Sequence, residues 1–173
     1  MTDLLPLLRP MQEQDLSLVL VWRNHPDVRQ FMYSQHEISP AEHARWFTSA
    51  LLDAQRHLLV YQPGGKPQGF LSFNRLRASA VAEWGFYLAP DAERGTGRAL
   101  GQAALDYAFS TLKLHKVCAE ALGFNERSRR FHEKLGFQQE GLLRDHYFDG
   151  SRYHAVHCFG LLANEWSRGA SES

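Results

Sequence analysis

Polar and apolar residues change rhythm along the chain, and each rhythm predicts an element. Residues 4–9 read as a first strand. Leu16, Val19, Leu20 and Arg23 recur at helical spacing, which predicts a helix over about Glu13 to Arg23. Asn24-His25-Pro26 breaks it, because the residue before a proline avoids helical geometry. Ser39-Pro40-Ala41-Glu42 combines a capping box with proline at the first helical position, and starts a second helix running to about Asp53. Residues 58–62 and 69–73 read as a hairpin turned by Gly64-Gly65, and 81–88 as a further strand ended by Pro90. Leu100, Ala104, Tyr107, Ala108 and Leu112 share one side of a helix over 97–112. A strand follows at 117–122. Asn125 caps a short helix that Gly136 stops. Strands 137–148 and 153–162 join through Asp149-Gly150, a hairpin signal. The order β-α-α-β-β-β-α-β-α-β-β predicts an α/β domain: a mixed, mostly antiparallel sheet with about four helices packed on it.

Composition narrows the class. A chain of 173 residues suits one domain, expected over 1–166, with a flexible tail over 167–173. Apolar residues make up 44%, too many for a disordered chain. Apolar runs such as Leu16 to Trp22 are too short to span a bilayer, so no membrane role is expected. Met1 to Arg9 lacks the pattern of a secretion signal, and the expected location is the cytoplasm. Lys+Arg and Asp+Glu are both 19, which leaves no electrostatic footprint for nucleic acid. Cys118 and Cys158 are expected as reduced core residues.

The most informative segment is 86–105. A strand runs into Arg94-Gly95-Thr96-Gly97-Arg98-Ala99, and that turn opens a helix. Glycines let successive N–H groups point into one concavity, and a helix start adds free donors and partial positive charge. Together these suit a pyrophosphate, with Arg94 and Arg98 adding charge-assisted bonds. The turn is not a P-loop, because Arg98-Ala99 stands where Lys-Ser/Thr is needed, and it lacks the third glycine of a dinucleotide fingerprint. Taken alone, it is also readable as a plain strand-to-helix turn. A second block, 125–137, places Asn125, Ser128 and His132 on one stripe of the capped helix and Phe131 and Leu135 on another. Alone, it reads equally as an ordinary capped helix.

Taken together, the two blocks resemble the GNAT acetyltransferases. Arg-x-x-Gly-x-Ala at 94–99 is similar to their coenzyme-A pyrophosphate loop. Asn-x-x-Ser-x-x-x-His-x-x-x-Gly-Phe at 125–137 is similar to their second conserved block. The resemblance implies acetyl-CoA as co-substrate, no metal, and a sheet splayed between strands 81–88 and 117–122. The pantetheine arm would lie in that gap. Backbone groups at Phe86 and Leu88 would pair with it, and an N–H there would hold the thioester oxygen. Arg94, Gly95, Thr96, Gly97, Arg98, Ala99, Asn125 and Ser128 would complete the cofactor site.

Acetyl transfer to an amine needs a proton acceptor, an oxyanion donor and protonation of the departing thiolate. Glu83 is the candidate base, against the plainer reading of a solvent-facing strand glutamate. An amine with a pKa near ~8 is already partly neutral, so even a weak base suffices. His132 stands where many of these enzymes have tyrosine and is the candidate acid, with Tyr87 and Tyr147 as fallback donors. His154 and His157, three apart on one strand, point to opposite faces and share no metal.

Residues 21–39 are dense in Trp, Arg, Asn, His, Phe, Met and Tyr. They read either as packed aromatics or, through the resemblance, as the acceptor-side wall. Trp22-Arg23-Asn24-His25-Pro26-Asp27, Phe31-Met32, Glu42-His43, 83–87 and 145–150 resemble the acetyltransferases of pseudaminic acid biosynthesis. This implies direct transfer to the 4-amino group of UDP-4-amino-4,6-dideoxy-N-acetyl-β-L-altrosamine, a UDP-amino sugar, with Arg23, Asn24, His25 and His43 on the acceptor. It leaves room for a homodimer. Residues 140–145 through Trp166 also resemble the ribosomal-protein N-terminal acetyltransferases. A non-catalytic acyl-CoA-binding module is the third reading.

Overall fold

The computed structural model describes residues 5–170, with side chains through 166. Seven strands form one sheet: β1 (Leu8–Pro10), β2 (Arg56–Tyr61), β3 (Gly69–Arg75), β4 (Val81–Leu88), β5 (Lys116–Leu122), β6 (Gln138–Phe148) and β7 (Tyr153–Leu162). The order across the sheet is β1-β2-β3-β4-β5-β7-β6. Every pair is antiparallel except β4–β5.

Six helices accompany the sheet among the described residues: α1 (Leu16–Asn24), α2 (Pro26–Arg29), α3 (Pro40–Leu51), α4 (Thr96–Asp106), α5 (Glu126–Lys134) and α6 (Ala163–Ala170). The expected capping box is present, since the Ser39 hydroxyl accepts from the Glu42 N–H at 3.1 Å. Gly136 ends the α5 segment at φ +97°.

One face of the sheet carries Phe73, Trp84, Val117, Phe159 and Leu161 against Leu100 and Leu105 of α4. The other carries Val60 and Phe70 against Val19 and Trp22 of α1 and Phe47 of α3. Each such side chain, fully buried, contributes about 1.5–3 kcal/mol.

Several boundaries differ from expectation, each for a local reason. The expected helix at Glu13 begins as a 3₁₀ turn, Glu13–Asp15. There the Asp15 carboxylate accepts from Arg9 at 2.7 and 2.8 Å and from the Gln12 N–H at 2.8 Å, so its side chain competes with α-helical geometry. The break before Pro26 becomes α2, because His25 Nδ1 accepts from the Asp27 N–H at 3.2 Å and caps it. The helix expected over 97–112 ends its α part at Asp106 and widens into a π turn. Helix α6 was not expected. Its backbone carries regular structure to Ala170, into the expected tail, while residues 171–173 and the first residue of the expected 4–9 strand lie outside the described residues. Both cysteines are free and only half-buried, on the sheet face that also carries Glu83 rather than in the core.

The feature that positions the site is the β4–β5 pair. Its register runs Val81↔Lys116, Ala82↔Val117, Glu83↔Cys118 and stops there. Both strands continue, to Leu88 and Leu122, without pairing. The sheet therefore opens at Glu83.

Candidate active site

The opening leads to the start of α4. Gly95 caps that helix at φ +93°, and a Cβ added there would meet nothing within 4 Å. Glycine is needed at this position for the backbone conformation, not for space. The Thr96 N–H is spent on Glu93 O (3.1 Å) and the Ala99 N–H on Gly95 O (3.2 Å). The amides of Gly97 and Arg98, in the first turn, have no acceptor within the helix. Of the expected loop, these two amides are thus the best placed for a diphosphate, with the exposed Arg94 and Arg98 beside them.

Gly101 brings α4 onto α5: a Cβ there would lie 2.9 Å from both Phe131 and Leu135. The close approach creates a groove of about 640 Å³ lined by Arg98, Arg127, Arg130, Phe131 and Lys134, with Glu126 paired to Arg130 at 2.6 Å. Arg127, Arg130 and Lys134 were not singled out in the sequence, where they look like a solvated helix face. Their convergence with Arg98 suits a polyanionic cofactor. Phe86 and Leu88 lie on the stretch of β4 left unpaired toward β5, so their edge is open to hydrogen bonding by a pantetheine arm.

On α5, the Asn125 side chain accepts from the Ser128 N–H at 3.1 Å and caps the helix. His132 is 3% exposed. Its Nδ1–H donates to Ser128 C=O at 2.8 Å, and its Nε2 accepts from Trp84 Nε1–H at 3.1 Å. Burial, only partly offset by the Ser128 bond, pulls its pKa down to about 4. A neutral imidazole with both nitrogens engaged is poorly placed to protonate a thiolate. The geometry instead makes it a strut joining α5 to β4.

The linkage has a definite sign. The folded pKa lies below the unfolded value near ~6.5, so stability is whole above that value. It declines by roughly 3 kcal/mol as pH falls through about 4. In a His132→Gln variant this dependence is absent, so the stability gap between the two proteins, followed by urea unfolding, narrows between pH 7 and pH 4. A gap constant with pH contradicts the strut.

Glu83 is half-buried on the face opposite α4 and α5. Burial, then the neighbouring Glu120 carboxylate, raises its pKa above the usual glutamate range. Glu120, two residues beyond Glu83's register partner on β5, accepts a hydrogen bond from the Tyr33 hydroxyl. Of the fallback donors, Tyr87 packs its ring on Phe70 and burial raises its pKa. The Tyr147 hydroxyl donates to Tyr33 C=O at 3.3 Å.

The four expected acceptor residues divide. Arg23 is 7% exposed and His43 4%. Arg23 Nη2 donates to Ser34 C=O at 2.7 Å, while Arg23 Nη1 and His43 Nε2 are buried with no hydrogen-bond partner. Among the described residues no carboxylate pairs with Arg23. Its pKa is lowered, by burial first, and that of His43 is lowered by burial and then by the Arg23 charge. His43 stacks on Trp46 at 5.0 Å, and Trp46 meets Phe70 edge-on at 5.9 Å. Asn24 is committed elsewhere: its amide donates to Ile38 C=O at 2.7 Å and accepts from Ile38 N–H at 2.8 Å. His25 is the α2 cap. These two hold the wall's shape and also line an open cavity of about 710 Å³ with Leu20, Glu37 and Ile38.

A split sheet with a glycine-capped helix start at its mouth is the architecture of an acyl-CoA-dependent transferase. Residues 7–138 match the family model described as "Acetyltransferase (GNAT) domain". The chain belongs to the GNAT acetyltransferases, and is an acetyl-CoA-dependent N-acetyltransferase. It is 29% identical over 139 residues to acetyltransferase PseH of Campylobacter jejuni, covering 80% of this chain and 86% of that one. It is 26% identical over 164 residues to spermidine N(1)-acetyltransferase of Vibrio cholerae, covering 92% and 94%. The crystal structure of the Vibrio cholerae spermidine N-acetyltransferase with CoA and spermine superposes with a TM-score of 0.84, at 24% identity, over 92% of this chain and 96% of that one. No helix among the described residues is long and apolar enough to cross a membrane.

Proposed function

We propose that the acceptor is the 4-amino group of a UDP-linked 4-amino-4,6-dideoxy sugar, UDP-4-amino-4,6-dideoxy-N-acetyl-β-L-altrosamine, in pseudaminic acid biosynthesis. The observation that carries this reading is the buried Arg23 guanidinium with one nitrogen unpartnered, next to a buried His43 whose Nε2 is also free. A buried cation without a carboxylate is costly unless an anion completes it, and a nucleotide diphosphate does so. The Trp46, Phe70 and Tyr87 rings beside it suit a flat base or sugar face. The similarity to PseH supports the same acceptor class. Both substrates of such a reaction belong to the cytoplasm, and catalysis within one chain needs no partner subunit, although a homodimer fits equally.

In this reading acetyl-CoA lies in the β4–β5 opening with its diphosphate on the Gly97 and Arg98 amides. Glu83 takes the amine proton, directly or through water. The amine nitrogen attacks the thioester carbon, whose oxygen is held by an N–H of the 86–88 edge. The carbon–sulfur bond then breaks. A coenzyme-A thiol, with a pKa of about 8.5, can take its proton from water, so His132 need not supply it.

A polyamine acceptor is the second reading. The Glu83 and Glu120 carboxylates would attract a cationic chain, and spermidine acetyltransferases are among the relatives. Thiol release from acetyl-CoA, measured with the UDP-amino sugar, spermidine, N-terminal peptides and aminoglycosides in turn, decides. Turnover is expected with the UDP-amino sugar. Turnover with spermidine alone or peptides alone overturns the proposal, and binding of acetyl-CoA without any turnover favours a non-catalytic module.

A further inference from the structure

Glu120 has no part in the scheme so far, yet the acceptor wall reaches across the sheet to touch it. Residues 30–38 are tied to α1 by Arg23 and Asn24, and Arg29 lies 3.8 Å from Glu37. From this tied segment Tyr33 extends over the sheet. Its hydroxyl donates to the Glu120 carboxylate, and its ring meets Tyr147 edge-on at 5.4 Å. Tyr33 is 53% exposed and Glu120 is exposed, so the contact sits at the open mouth of the β4–β5 gap rather than in the core. Glu83 and Glu120 project from the same face, on the two strands that part there.

We propose that Glu120 is the ligand of the acceptor's ammonium group, which takes the carboxylate from the Tyr33 hydroxyl and is thereby seated beside Glu83. The proposal rests on Glu83 as proton acceptor, and not on the identity of the sugar. A neutral phenol gives Glu120 one hydrogen bond. Both bonds to the carboxylate are charge-assisted, but an ammonium adds an opposite full charge and three donors where the phenol has one. The incoming amine can therefore displace Tyr33, bridge both carboxylates and pass one proton to Glu83. The freed nitrogen lone pair then forms the N–C bond as the C–S bond breaks. Of the two protons lost by nitrogen, one leaves through Glu83 to water and the other balances the thiolate. Tyr33, released, stays protonated near neutral pH, as a phenol with an ordinary pKa of about 10 does.

Steady-state kinetics on the whole protein with the UDP-amino sugar test this. Glu120→Gln is expected to raise the acceptor KM at least about tenfold and to leave the acetyl-CoA KM within about twofold, as loss of a charge-assisted contact implies. Glu120→Asp, which keeps the charge, recovers part of the loss. Tyr33→Phe removes the competing hydroxyl and lowers the acceptor KM. What a merely structural role would not give is this opposite response of the acceptor KM in Glu120→Gln and Tyr33→Phe. The acidic limb of kcat/KM also shifts to lower pH in Glu120→Gln, because Glu83 loses its negative neighbour. The other groups facing Glu83 are Cys118 on β5, Cys158 on β7 and Tyr33; its β3 register partner, Asn74, does not titrate. An acceptor KM unchanged in Glu120→Gln overturns the proposal. So does a Tyr33→Phe variant whose acceptor KM rises as much as that of Glu120→Gln, which would make the pair a mere latch. If only spermidine is turned over, the same variants are read with spermidine; the sugar assignment then fails while this proposal is still judged.

Discussion

Glu83→Gln lowers kcat about a hundredfold and leaves the KM for acetyl-CoA unchanged. General-base catalysis contributes about 10²–10⁴-fold, and the lower end applies because a primary amine is already partly neutral near pH 7. The cofactor terms should stay, since the loop and the basic groove lie on α4 and α5, on the opposite face of the sheet. The pH profile gives the sharper reading. A base works deprotonated, so activity rises as pH climbs through the Glu83 pKa, which burial and Glu120 hold above the ordinary value. In the glutamine variant that acidic limb disappears. Rapid-quench measurement of single-turnover acetylation across pH checks both points. A variant with the parent's rate and limb leaves Glu83 as a structural strand residue.

Arg23→Met raises the acceptor KM by roughly 10- to 100-fold, the range expected when a hydrogen bond to a charged group is removed. Methionine keeps an unbranched apolar stem at this buried site and removes the guanidinium with its charge and donors. The same change leaves Ser34 C=O without its donor, so loosening of the acceptor wall contributes to the effect. Competition by UDP separates the two causes. UDP carries the diphosphate and base without the amine. If Arg23 binds the diphosphate, UDP competes with the acceptor in the parent and loses at least about tenfold in the variant. A higher acceptor KM with UDP inhibition intact means Arg23 acts only through the wall, and the nucleotide-sugar reading loses its main support.

The site residues differ in how far local sequence reveals them. Gly95 and the helix start behind it are legible because the chemistry is local: a left-handed cap and free first-turn amides need no partner from elsewhere. Asn125 as a cap is legible for the same reason. Asn24, His25 and His132 are polar residues whose places in the sequence suggest reacting or binding groups. Their side chains also carry hydrogen bonds to Ile38, Asp27, Trp84 and Ser128. Of these, only the nearby caps could have been anticipated. Glu120 gave no signal, and Tyr33 only as one aromatic of the 21–39 segment, because what joins them is a contact between a loop and a distant strand.

By itself, then, the sequence determined the strands, the longer helices from α1 to α5 and their order, and the glycine turn, because hydrophobic period, caps and glycine geometry act within a few residues; α2 and α6 were not read from it. It also carried the two blocks that identify an acetyltransferase. Only the tertiary structure decided that β5 lies beside β4 and leaves it at Glu83. That pairing places Glu83 and Glu120 on one face, while the position of α1 buries Arg23 without a carboxylate and the seating of α5 on β4 engages His132. Such facts depend on strand order and register, which long-range packing selects and local propensity does not encode.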